Sequence, residues 1–178
     1  LYSGINLVGA SYSGWLASQY ALHASDRLNK LVLVAPAGTI LPFSENYLQQ
    51  SMALYINPGR ETYINFFRWN FKDLAQQAPQ FIETLADDIL LSVGCFVDPN
   101  PAELPTLTAM SDAELQSINV PTLVLIGENE LLYAMEEAIQ RLDQVAPQIQ
   151  KAIIPNAGHD LLLVQTEMVD QKILDFLA

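Results

Sequence analysis

The strongest constraint on the fold is a set of four short segments, residues 5–9, 31–35, 120–126 and 151–154, rich in leucine and β-branched residues and bounded by Gly, Pro or Asn. They read as nearly continuous apolar runs rather than alternating ones. That is the pattern of strands buried on both faces, as in parallel sheets covered by helices. Between the first two, Ala17, Tyr20, Ala21 and Ala24 recur at helical spacing within residues 14–25, completing a βαβ unit. Further helices are expected over residues 132–145, with Met135, Ala138, Ile139 and Leu142 on one side, and over 167–177, with Val169, Ile173, Leu174 and Leu177. An α/β fold with a mostly parallel sheet of about four strands and flanking helices follows.

The interval 39–119 breaks this rhythm. It holds more than half of the chain's aromatic residues, among them Tyr55, Tyr63, Phe66, Phe67, Trp69 and Phe71, on helical patterns interrupted at Pro58-Gly59, at Pro79 and at Asp98-Pro99-Asn100-Pro101. An insertion of this size is too long for a plain crossover and is expected to be a helical cap over the carboxyl edge of the sheet. Residues 1–38 and 120–178 would then form the core. The aromatics either face the site beneath the cap or pack the insertion's own small core.

Composition narrows the function. The 178 residues carry 20 acidic and 8 basic side chains for a formal charge of −12, and the few cations are scattered, so nucleic acid is not an expected partner. With 51% apolar residues the chain is foldable, yet no apolar run approaches the roughly 20 residues of a membrane span. One cysteine, Cys95, excludes an internal disulfide and a thiolate zinc site, and with only His23 and His159 the sequence offers no metal site. No cofactor is implied. Nothing resembling a targeting segment is present, so a cytoplasmic location is expected.

The first strand runs into Ala10-Ser11-Tyr12-Ser13-Gly14-Trp15 and directly into a helix, leaving no room for an ordinary loop. A serine at the tip of such a strand-to-helix hairpin is held out for attack, and the sharp turn demands small residues two positions to either side. Gly9 meets that demand before the serine. Ser13 takes the second position, where glycine is usual, and Gly14 follows it. The ordinary alternative is that Ser11 merely caps the helix. If it is a nucleophile, the N–H of Tyr12 is available to a developing oxyanion.

A serine hydroxyl needs a base, and the base needs an acid to orient it. His23 lies about three turns along the helix that Ser11 opens, out of reach, and reads as a surface residue near the helix C-terminus. His159 follows the fourth strand in Pro155-Asn156-Ala157-Gly158-His159. Parallel strands put their carboxyl ends on one edge, so it shares that edge with Ser11. The third strand ends in Gly127-Glu128-Asn129-Glu130. Glu130 is preferred as the acid because it lies far enough past the strand to turn back toward the histidine, whereas Glu128 is still at the bend. Asp160, adjacent to His159, reads as a structural or loop-capping residue.

Residues 6–15, 31–36, 120–130 and 155–159, in that order, resemble the α/β-hydrolase superfamily and look most like its capped carboxylesterase-type members. The resemblance implies Ser11 as nucleophile, Glu130 as acid and His159 as base. It departs from the family pattern in Ser13, which stands for a second elbow glycine, and in Glu130, which stands for the more frequent aspartate. The implied activity is a serine hydrolase, a carboxylesterase acting on a small or medium apolar ester. The rival expectation is a catalytically impaired half of such a fold, serving as a binding or assembly module. Family members carry further strands before the elbow strand, and the sequence matches only about their carboxyl-terminal two-thirds. On that reading 178 residues is a fragment's length. Another copy, or a separate amino-terminal polypeptide, is then expected to cover the edge formed by residues 5–8.

Overall fold

The computed structural model describes residues 4–95 and 106–178. Strands β1 (Ile5–Ala10), β2 (Leu28–Val34), β3 (Thr122–Gly127) and β4 (Gln150–Ile154) form one parallel sheet in that order. Side chains alternate between its faces. Leu31, Leu33, Val124 and Ile126 point into one cluster with Ala17 and Ala21 of α1 (Tyr12–His23), while Val32, Val34, Leu123 and Leu125 point into another. The result is a three-layer sandwich.

The inner strands are buried over residues 31–34 and 122–127 because both their faces are covered there. β1 alternates between half-buried and exposed residues, and β4 is mostly accessible, so for the outer strands the expectation of two buried faces fails. Leucine and β-branched runs occur in them without full burial because each has a neighbour on only one side.

The insertion contributes α2 (Glu45–Ile56), α3 (Arg60–Asn70), α4 (Lys72–Gln77) and α5 (Pro79–Cys95), followed by α6 (Asp112–Ser117). Pro58-Gly59 separates α2 from α3, and Pro79 opens α5, a position where its missing N–H is not needed. The break at residues 98–101 lies outside the described residues. Ile64, Phe66, Phe67, Leu74, Ile82 and Ala86 give these helices a core of their own. Met110, Leu115 and Ile118 instead belong to the cluster beneath the sheet, so the α6 stretch packs with the scaffold. Its start is fixed by reciprocal bonds between Ser111 and Glu114.

Beyond β3, α7 (Met135–Val145) covers the α1 face through Ala138 and Leu142. After β4 come α8 (Leu161–Val164) and α9 (Thr166–Leu177), the latter packing Val169 and Ile173 against the opposite face. The one-turn helix α8 leaves too short a pattern to be read from sequence. Among the described residues no helix is long and apolar enough to cross a membrane.

Candidate active site

Ser11 sits between β1 and α1 with φ 52° and ψ −122°, a backbone conformation that L-residues avoid. The helix starts at Tyr12, two residues before the sequence pattern suggested, because no loop intervenes. Holding such a residue costs about 1–3 kcal/mol, supplied by the surrounding structure. Here the Ser11 N–H donates to the Val34 carbonyl across the sheet (2.9 Å), and its carbonyl accepts from Gly14 N (2.9 Å) and Ala37 N (3.1 Å).

Gly9 has to be glycine, since a Cβ there would collide with the Ser13 carbonyl and the Ala17 methyl group. Gly14 is equally confined, 2.9 Å from the Pro36 Cβ when a Cβ is added. Ser13 itself is exposed, so the turn asks only for a short side chain there. Tyr12, the first residue of α1, has an N–H with no acceptor within the helix and remains open to a ligand.

The carboxyl ends of β3 and β4 bring the other two residues to the same edge. His159 Nε2 lies 2.9 Å from Ser11 Oγ, and its Nδ1 lies 3.0 Å from Glu130 Oε2. The Glu130 side chain is fully buried, and its second oxygen accepts from Leu131 N (2.9 Å) and Leu132 N (3.0 Å). Oε1 is held by both backbone N–H groups, which fixes the edge that the carboxylate offers to the imidazole.

Its negative charge is felt nearby. The half-buried phenol of Tyr47 and the buried phenol of Tyr133 are pushed above their usual range, first by burial and second by Glu130. Glu128 points elsewhere, accepting from Asn156 N at 3.0 Å and so shaping the turn that carries the histidine. His23 ends α1 on the surface. Among the described residues no group of three His, Cys, Asp or Glu side chains could hold a metal.

Two features of this edge were not read from the sequence. A Cβ on Gly127 would strike the carbonyls of Ala157 and Gly158, so the loop carrying Glu130 and the loop carrying His159 touch only because that position is glycine. The glycine ending an apolar strand in Ile126-Gly127-Glu128 was the available signal. The second is Phe71, whose ring stacks on the His159 imidazole, centroids 6.3 Å apart and planes 10° from parallel.

Residues 2–166 match the family model described as the alpha/beta hydrolase fold. Among curated proteins the chain is 31% identical over 177 residues to carboxylesterase YbfK of Bacillus subtilis, covering 97% of this chain and 57% of that protein. It is 29% identical over 171 residues to the same organism's uncharacterized carboxylesterase nap, covering 96% of this chain and 56% of that one. The crystal structure of naproxen esterase (carboxylesterase NP) from Bacillus subtilis superimposes with a TM-score of 0.82 at 26% identity, covering 99% of this chain and 61% of the other. The chain thus spans a little over half the length of the curated relatives it matches. On the family match and the fold together, the chain belongs to the α/β-hydrolase family.

Proposed function

We propose that the protein is a serine hydrolase, a carboxylesterase for small or medium apolar esters, working through Ser11, His159 and Glu130. The observation that carries this reading is the unbroken hydrogen-bond chain from Ser11 Oγ through both ring nitrogens of His159 to a buried carboxylate. In the first half-reaction Ser11 Oγ attacks the acyl carbon while its proton passes to His159 Nε2. The carbonyl π bond opens to an oxyanion, which accepts from the Tyr12 N–H. Collapse breaks the ester C–O bond, and the leaving alcohol takes the proton from His159. Water then repeats the sequence on the acyl-enzyme, giving the carboxylic acid and restoring Ser11. Glu130 holds the imidazole tautomer that has its free lone pair toward Ser11 and stabilises the imidazolium. The Phe71 ring beside His159 favours an apolar acyl or alcohol group.

Hydrolysis of 4-nitrophenyl esters of increasing acyl length tests this. Ser11→Ala should lower kcat by roughly four to six orders of magnitude. Turnover unchanged by that substitution would exclude Ser11 as the nucleophile.

We also propose that another polypeptide, a second copy or a separate amino-terminal chain, covers the free edge of β1. Among the described residues this strand ends the sheet, and Val8 on it is 47% exposed. Sedimentation of the protein as a monomer at high concentration would count against it.

A further inference from the structure

His159 is held in the plane of its ring by hydrogen bonds at both nitrogens, but in-plane bonds do little to stop the ring from tilting. Against the face of the ring lies a side chain of the insertion. Phe67, Phe71 and His159 form a column of nearly parallel rings, Phe67 to Phe71 at 5.6 Å and 3°, then Phe71 to His159 at 6.3 Å and 10°. Phe67 is itself buried in the insertion's core, so the column runs from that core to the imidazole face.

The backbone of the histidine loop is tied to the same corner. Asp160 is 1% exposed, and its carboxylate receives two backbone N–H groups: Oδ1 accepts from Gly158 N at 2.9 Å and Oδ2 from Leu74 N at 2.7 Å. A residue that merely shaped its own loop would need only the first. The second bond reaches the first turn of α4, where Leu74 is buried among the insertion's apolar residues. One residue earlier, the Asp73 carboxylate accepts from Asn129 Nδ2 at 3.1 and 3.2 Å, joining the corner to the acid loop as well. Residues 71, 73 and 74 thus touch the base, the acid loop and the loop that carries the base.

We propose that Asp160 and Phe71 form a clasp through which the helical insertion sets the position and tilt of His159. Both are positioning residues for the reaction proposed above, on which this inference rests. Neither touches a reacting atom. Their effect is on the fraction of molecules in which Nε2 faces Ser11 Oγ, so it should fall on kcat rather than on KM.

The test compares Asp160→Ala, Asp160→Asn and Phe71→Leu with the unaltered protein, using 4-nitrophenyl acetate turnover and the proton NMR spectrum. An imidazole N–H held against a carboxylate gives a strongly downfield resonance, and its loss in Glu130→Gln assigns it to His159 Nδ1–H. The clasp predicts that Asp160→Ala and Phe71→Leu lower kcat roughly 10- to 100-fold with KM within about threefold, and that the resonance broadens or disappears. Asp160→Asn, which keeps one acceptor oxygen, should fall between them and the unaltered protein. A kcat within about threefold and an intact resonance in Phe71→Leu overturn the proposal, whether or not Asp160→Ala folds. If the unaltered protein hydrolyses no ester, the resonance decides alone. Its loss in Phe71→Leu upholds the clasp although the esterase reading fails, and its persistence removes the clasp.

Discussion

Strand β3 buries all of its residues, while helix α2 of the insertion buries none of its own and leaves Tyr55 84% and Ile56 75% exposed. Both segments flank the same site. The sheet holds Ser11 and Glu130 at strand ends whose positions are set by hydrogen-bonded register and by helices on both faces. The insertion touches that edge at a few points: the 71–74 corner, and Ser44, whose N–H donates to the Leu132 carbonyl (2.7 Å) and whose hydroxyl donates to the Leu131 carbonyl (3.0 Å). The contrast separates two tasks. The sheet holds the residues of the site at its strand ends, and on the clasp proposed above the insertion adjusts what the sheet presents.

The largest effect that would break this contrast is on stability. Leu125, fully buried at the centre of β3, should lose roughly 2–5 kcal/mol on substitution by alanine. Ile56→Ala should change stability by less than about 0.5 kcal/mol. Urea unfolding of the two variants measures both, and equal losses would mean that the insertion is as integral to folding as the sheet.

A smaller effect sharpens the scaffold side. The hydroxyl of Tyr133, beside Glu130, is buried and has no hydrogen-bond partner among the described residues. Removing it in Tyr133→Phe should leave stability unchanged or raise it by about 1 kcal/mol. The folded protein keeps this phenol protonated to higher pH than the unfolded chain does, since burial and Glu130 both oppose the phenolate. Its contribution is therefore complete below about pH 10 and is lost as pH rises through the higher folded value. The unfolding temperature of Tyr133→Phe should fall less steeply between about pH 10 and that higher value, and an unaltered slope would show that the phenol does not titrate on unfolding.

Much of the scaffold was legible because its signals are local. Residues 31–34 and 123–126 are apolar without interruption and are buried. The arrangement of Ser11, His159 and Glu130 was legible by elimination. A serine at a loopless turn and two histidines leave few combinations, and the parallel topology puts one of those histidines on the serine's edge. Gly127 and Phe71 were not, because each matters only through a neighbour distant in sequence, the histidine loop in both cases. The division of the interval 39–119 was equally hidden. The apolar residues of α6 look no different from those of α3, and only the fold sends Leu115 beneath the sheet and Ile64 into the insertion's core.

The central claim is that the strained serine between β1 and α1 is a nucleophile activated by His159. Treating the protein with a fluorophosphonate probe and locating the adduct by peptide mass spectrometry tests it most directly. A single phosphonylated residue, Ser11, is expected, with labelling abolished in Ser11→Ala and strongly slowed in His159→Ala. Labelling that survives Ser11→Ala, or an adduct on any other residue, would contradict it.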